Sequence, residues 1–193
     1  MIIIVLPDIP AEDRLLAQAR QGQQDAIMQI YESYFPPVFQ FIRLRVGERA
    51  LAEDLASDVF VKFVDALQGH NAPRHSLRGW LFRVARNEIH DYYGKSRQLP
   101  ITTLDEWLPD SNDNDPEIQF IRSVNADRAR HAIRMLAADQ QEVLILRFGQ
   151  MLSLQETADI LGKSTSAVKS LQFRAINTLR SILETMRTER VNG

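Results

Sequence analysis

The sequence predicts an all-α fold: two small helical domains joined by an acidic flexible linker, the second containing a helix-turn-helix. Three observations predict it. Apolar residues recur at helical spacing through most of the chain. No stretch shows the strict alternation of a half-buried strand. Residues 99–117 lose all apolar period and fill instead with Pro100, Pro109 and Pro116 and with Asp110, Asp113, Asp115 and Glu117, as a solvated linker does. The expected boundaries are 1–98 for the first domain, 99–127 for the linker and 128–193 for the second domain.

The elements follow in order. Residues 11–21 set Leu15, Leu16 and Ala19 on one face. Residues 25–45 carry Ile27, Ile30, Tyr31 and Tyr34, then Val38, Phe41 and Ile42. Pro36 and Pro37 fall between those groups and are expected to interrupt or kink the helix, because proline lacks the amide and crowds the preceding turn. Gly47 ends that stretch. Residues 50–67 repeat Leu51, Leu55, Val59, Phe63 and Leu67 at spacings of four. Residues 69–75 read as a loop, with Asn71 and Pro73 as turn formers. Ser76 is placed to cap a helix running to about Tyr93, whose apolar face is Leu77, Trp80, Leu81, Val84 and Ile89. After the linker, Ile133, Leu136, Val143, Leu144 and Leu146 mark renewed helix. The apolar start, Met1 to Leu6, is too short and lacks the basic leader of a signal peptide, so it reads as a tail.

Composition narrows the function classes. The 193 residues include no cysteine, which removes disulfides, thiolate metal sites and thiol nucleophiles. No apolar run approaches the roughly 18–20 residues that span a bilayer, so direct membrane insertion is not expected and a cytoplasmic location is. The four histidines, His70, His75, His90 and His131, have no ligand spacing. No catalytic triad, phosphate loop or paired carboxylates appear, so neither enzyme activity, nor a cofactor, nor a metal is expected. Net charge is −2, yet it is unevenly spread. Residues 1–66 hold 6 basic and 10 acidic groups, residues 67–100 hold 6 and 2, residues 101–127 hold 1 and 7, and residues 128–193 hold 10 and 6. Net charge alone argues against a polyanion binder, but two basic blocks separated by an acidic one argue otherwise.

Residues 154–179 have helix-turn-helix spacing. Leu154 to Leu161 is one short helix with Ala158 small at the crossing, and Gly162 makes the turn. Ser164 caps the next helix, whose inward residues are Val168, Leu171, Ala175 and Leu179. Ser166, Ser170, Phe173, Arg174 and Asn177 point outward, with Lys169 on the flank. A capped helix with small polar and basic groups near its start suits a major groove. An ordinary helical hairpin would share this spacing. Lys163, where an apolar residue commonly packs, and Gln172 on the inward face are the two departures.

Residues 153–180, SLQETADILGKSTSAVKSLQFRAINTLR, resemble the minus-35-binding module of extracytoplasmic-function sigma factors, and residues 139–149, DQQEVLILRFG, resemble the helix leading into it. Residues 50–64, ALAEDLASDVFVKFV, resemble that family's polymerase-binding helix, and residues 80–97, WLFRVARNEIHDYYGKSR, its minus-10-recognition helix. Residues 28–46, with YESYFPPVFQFIRLRV, resemble the helix before these. Ser57 stands where the family often has glutamine, and Leu171 and Phe173 where Arg and His are common. The motif ends close to residue 193, so a long carboxy-terminal regulatory extension is not expected.

The resemblance implies an alternative sigma factor that directs bacterial core RNA polymerase to promoter DNA and aids promoter opening. It also implies an anti-sigma partner. Asp54, Leu55, Asp58, Phe60 and Val61 would then meet the polymerase clamp helices, with charge orienting the encounter. Asp54 and Asp58 equally suit a solvated helix face. Arg78, Trp80, Arg83, Arg86, Asn87, Tyr93, Lys95 and Arg97 would hold the melted minus-10 strand, cations along the backbone and aromatics against bases. Trp80 lies on the apolar face and equally suits the core. Ser164, Thr165, Ser166, Lys169, Ser170, Phe173 and Arg174 would read the minus-35 duplex. The acidic linker, with Trp107 inside it, would either enter the active-site cleft as a nucleic-acid mimic or act as an extended spacer. The competing reading is a stand-alone helix-turn-helix regulator. Against it stands the basic-aromatic helix 80–97, for which a duplex-only reader has no use.

Overall fold

The structure, a computed structural model, describes residues 9–69, 71–73, 76–94 and 131–191. Lys95, Arg97, His70, His75, Trp107, the first eight residues and the whole of 99–127 lie outside the described residues. Among the described residues every regular element is a helix, and the chain divides into two compact units.

The first unit holds α1 (Ile9–Arg20), α2 (Gln24–Val46), α3 (Arg49–Gln68) and α4 (Leu77–Tyr93). α1 buries Leu16 and Ala19 as its periodicity requires. On the same buried side it also carries Glu12, only 2% exposed. α2 does not break at Pro36 and Pro37: the helix continues through both, correcting the expected interruption. The two prolines deprive the carbonyls one turn back of helical donors. Packing outweighs that loss, because Ile30, Tyr34, Val38, Phe41 and Ile42 on both sides of the pair are completely buried. Gly47 ends α2 at φ 75°, a left-handed conformation that glycine adopts without a Cβ clash, and its amide returns to the Arg43 carbonyl.

α3 and α4 close the core. Leu55, Val59 and Phe63 of α3 are buried, while Leu51 and Leu67 at the ends of the stripe are half-buried. Leu77, Leu81, Phe82, Ala85 and Ile89 of α4 show no exposed surface. Phe82 meets Phe41 edge-on at 5.3 Å between ring centroids, an arrangement favoured by the ring quadrupoles. Lys62 of α3 and Glu88 of α4 add an ion pair at 2.5 Å, with the lysine half in solvent.

The carboxy-terminal part of the chain holds the helical residues 131–134, α5 (Ala138–Leu144), α6 (Leu154–Leu161) and α7 (Thr165–Val191). α5 runs on into a single π-helical stretch, Ile145–Gly149. Ile133, Val143, Leu144, Leu146 and Leu152 are fully buried, and α7 adds Val168, Leu171, Ala175 and Leu179 from one face. Met151, between the π turn and α6, sits at φ 52°, a conformation that costs a side chain with a Cβ.

Candidate nucleic-acid and polymerase interface

The turn of the helix-turn-helix is built from local chemistry. Ser153 and Glu156 form a reciprocal capping box at the start of α6: Ser153 N donates to Glu156 Oε2 at 2.8 Å and Glu156 N donates to Ser153 Oγ at 3.2 Å. The S-x-x-E spacing carries that signal in the sequence. Gly162 closes α6 at φ 63°, and Lys163 N donates to the Ala158 carbonyl at 3.0 Å, directing the chain into α7. Ser164 then caps α7 as expected, its Oγ accepting from Ala167 N at 3.2 Å. Lys163 is exposed rather than packed.

This geometry displays one face of α7. Ser164, Thr165, Ser166, Lys169, Ser170, Phe173 and Arg174 are all exposed, Phe173 at 61%. Small hydroxyls lead, cations follow, and one aromatic stands among them. The inward Gln172 is buried and accepts a hydrogen bond from Arg147 Nε at 2.8 Å. Arg147 comes from the π-helical stretch, and its Nη1 also donates to the Leu152 carbonyl. One guanidinium thus joins the π turn, the entry to α6 and the middle of α7. No sequence motif signals that link.

On α4 the expected strand-binding residues separate into two groups. Trp80, Arg83 and Asn87 follow one another at i, i+3 and i+7, with Arg86 beside them. Arg83 and Asn87 are exposed, and Arg86 is half-buried. Trp80 is half-buried, its ring 5.8 Å from Phe63, so it both anchors α4 and keeps part of its surface in solvent. Tyr93 is tethered, its hydroxyl donating to the Val46 carbonyl at 3.2 Å. Its neighbour Tyr92 is 57% exposed and presents the more open ring.

Arg78 is a correction. It was expected on the strand-binding surface, but it is 9% exposed and its Nε donates to Glu12 Oε2 at 2.9 Å. A guanidinium drawn out of water requires a carboxylate partner, and Glu12 supplies it. Leu55 and Phe60 are corrected likewise. Both turn into the core, Phe60 packing edge-on to Tyr31 at 5.1 Å and against Phe35 at 5.8 Å. The outer face of α3 consists instead of exposed Asp54, Ser57, Asp58 and Val61, with Val61 at 57%.

Comparison with known proteins places these surfaces in a class. Residues 30–98 match the family model for sigma-70 region 2, and residues 132–181 match that for sigma-70, region 4. The chain is 32% identical over 176 residues to the ECF RNA polymerase sigma factor SigD of Mycobacterium tuberculosis, covering 87% of this chain and 82% of that protein. It is 30% identical over 171 residues to SigX of Bacillus subtilis, covering 86% and 88%. To BldN of Streptomyces coelicolor it is 35% identical over 170 residues, which span 88% of this chain but 64% of that longer protein. The structure of CnrH in complex with the cytosolic domain of CnrY matches with TM-score 0.65 at 25% identity over 91% of this chain and 98% of that one. That of RpoE with the anti-sigma factor NepR from Bartonella quintana matches with TM-score 0.58 at 25% identity over 81% and 96%. The chain belongs to the ECF RNA polymerase sigma factors, and so is an alternative sigma factor.

Proposed function

We propose that the chain divides the work of promoter recognition among three surfaces. The acidic outer face of α3, with Asp54, Asp58 and Val61, docks on the clamp helices of core RNA polymerase. Carboxylates steer the encounter and Val61 supplies apolar contact. Arg83, Arg86, Asn87 and the open part of Trp80 hold the melted minus-10 strand, helped by Tyr92 and by Lys95 and Arg97 beyond it. The exposed face of α7 reads the minus-35 duplex. There Lys169 and Arg174 meet phosphates and base edges, and Phe173 offers the apolar surface that suits a thymine methyl.

The domain boundaries 1–98 and 128–193, with residues 99–127 as an acidic connection between the two DNA readers, belong to the same proposal. So do a cytoplasmic location beside the polymerase and an anti-sigma partner of the kind that RpoE has in NepR. Among the described residues no helix is long and apolar enough to cross a membrane. The chain contributes recognition, and the polymerase performs the chemistry.

The observation that carries this reading is the α4 face. An exposed Arg83 and a half-buried Arg86 beside a partly open indole suit unstacked bases, and a reader of closed duplex alone has no need of them. The test compares the free chain with the chain bound to core polymerase on forked promoter DNA. Specific binding is expected only with core present. Tight, salt-sensitive binding of the free chain to specific duplex would instead assign a stand-alone regulator.

A further inference from the structure

The family model for region 2 begins at residue 30, so α1 lies before it. Yet α1 carries one of the most buried charges described, Glu12 at 2% exposure. Its carboxylate gathers three donors from two other helices. Oε2 accepts from Tyr34 Oη of α2 at 2.7 Å and from Arg78 Nε of α4 at 2.9 Å. Oε1 receives the weaker approach of the Arg78 backbone N–H at 3.4 Å. Arg78 is the second residue of α4, so its amide is one of the four that a helix start leaves without an internal partner. Glu12 therefore acts as a cap from a distance of 66 residues, a negative charge set at the positive end of the α4 dipole.

The local cap of α4 is under strain at the same point. Ser76 holds φ 42°, unusual for a residue with a Cβ, while its Oγ accepts from Gly79 N at 3.0 Å. A strained cap persists when its surroundings over-determine it. Here the Glu12 clasp fixes the next residue but one. It thereby sets the axis on which Trp80, Arg83 and Asn87 are displayed.

We propose that Glu12 is a positioning residue for capture of the melted strand, acting through Arg78 and the first turn of α4. This rests on the assignment of α4 to the minus-10 strand. The clasp makes α1 part of the DNA-reading apparatus.

The test measures holoenzyme binding to a fluorescent single-stranded DNA. That DNA carries the non-template strand of a promoter that the wild-type holoenzyme selects from a random library. Glu12→Gln keeps the shape but weakens the acceptor for Arg78. Affinity for the strand is expected to fall about tenfold, the order of one lost base contact, with co-elution with core unchanged. The combined variant Glu12→Leu, Arg78→Leu and Tyr34→Phe replaces the buried pair and the hydroxyl bonded to it by apolar bulk, which commonly preserves stability. It is expected to keep its helical melting transition and its complex with core, yet still bind the strand weakly. Wild-type strand affinity in either variant would overturn the proposal, since the clasp would then only hold the fold together. Arg83→Ala with Arg86→Ala is the control. If it lowers strand affinity and Glu12→Gln does not, the positioning role fails and the α4 assignment stands. If it too binds like wild type, the α4 assignment itself fails and the positioning role falls with it.

Discussion

Replacing Arg147 by Ala removes the donor that ties the π turn to α7. Two acceptors lose it: the Gln172 side-chain oxygen, at 2.8 Å from Nε, and the Leu152 carbonyl. Gln172 is 8% exposed and Leu152 is fully buried, so water replaces the donor poorly at both. A hydrogen bond from a charged donor contributes about 1.5–3 kcal/mol, and the half-buried position of Arg147 discounts the pair to about 2–4 kcal/mol in all. Gln172→Leu in the wild-type background should cost about 1 kcal/mol, since it deletes one acceptor while keeping apolar packing. In the Arg147→Ala background the same change should restore about 1–2 kcal/mol, because it removes a buried amide oxygen that has lost its donor. The predicted coupling is therefore about 2–3 kcal/mol, with a change of sign for Gln172→Leu between backgrounds. Urea unfolding followed by helical circular dichroism measures it. Equal costs for Gln172→Leu in the two backgrounds, within about 0.5 kcal/mol, would refute the clamp.

Three further outcomes are expected. Lys169→Ala with Arg174→Ala should weaken transcription from a minus-35-dependent promoter by about 1–3 kcal/mol in binding, with unchanged circular dichroism because both side chains are exposed. Unchanged run-off yield would remove α7 from DNA recognition. Asp54→Lys with Asp58→Lys should abolish co-elution with core polymerase while the melting temperature stays put, since neither carboxylate is buried. Retained co-elution would take the α3 face out of the interface. Met151→Gly should stabilise the carboxy-terminal part of the chain by about 1 kcal/mol by relieving the left-handed backbone at φ 52°. A lowered urea midpoint would show that the Met151 side chain contributes more than its conformation costs.

The parts of the fold written in local chemistry were legible before the structure. Ser76, Gly47, Gly162 and Ser164 end or begin helices where their conformational habits place them. The stripes of α3, α4 and α7 turn towards the core as their spacing indicates, with Leu51, Leu67, Trp80 and Val84 only half-buried, because a 3.6-residue period fixes which side faces inward. What escaped the sequence was settled by partners far along the chain. Arg78 reads as a cation on a basic helix until Glu12 is found beside it. The family resemblance implied Phe60 as a polymerase contact, but Tyr31 and Phe35 widen the buried face of α3 to include it. Pro36 and Pro37 read as a break because the local rule for proline omits the packing of Tyr34, Val38 and Phe41 around them. Gln172 reads as an inward polar residue awaiting a partner, and only the π turn before α6 shows that the partner is Arg147. On α7, then, the displayed residues were readable from periodicity, and on neither α4 nor α7 were the buried polar contacts that hold the helix.

As an alternative sigma factor, this chain gives core RNA polymerase a promoter specificity it lacks alone. The direct measurement is size-exclusion co-elution with bacterial core polymerase, followed by run-off transcription from a pool of random promoter fragments. A stoichiometric complex that yields new, sequence-restricted transcripts is the predicted result. Elution of the chain apart from core, with no transcript beyond those of core alone, would contradict it.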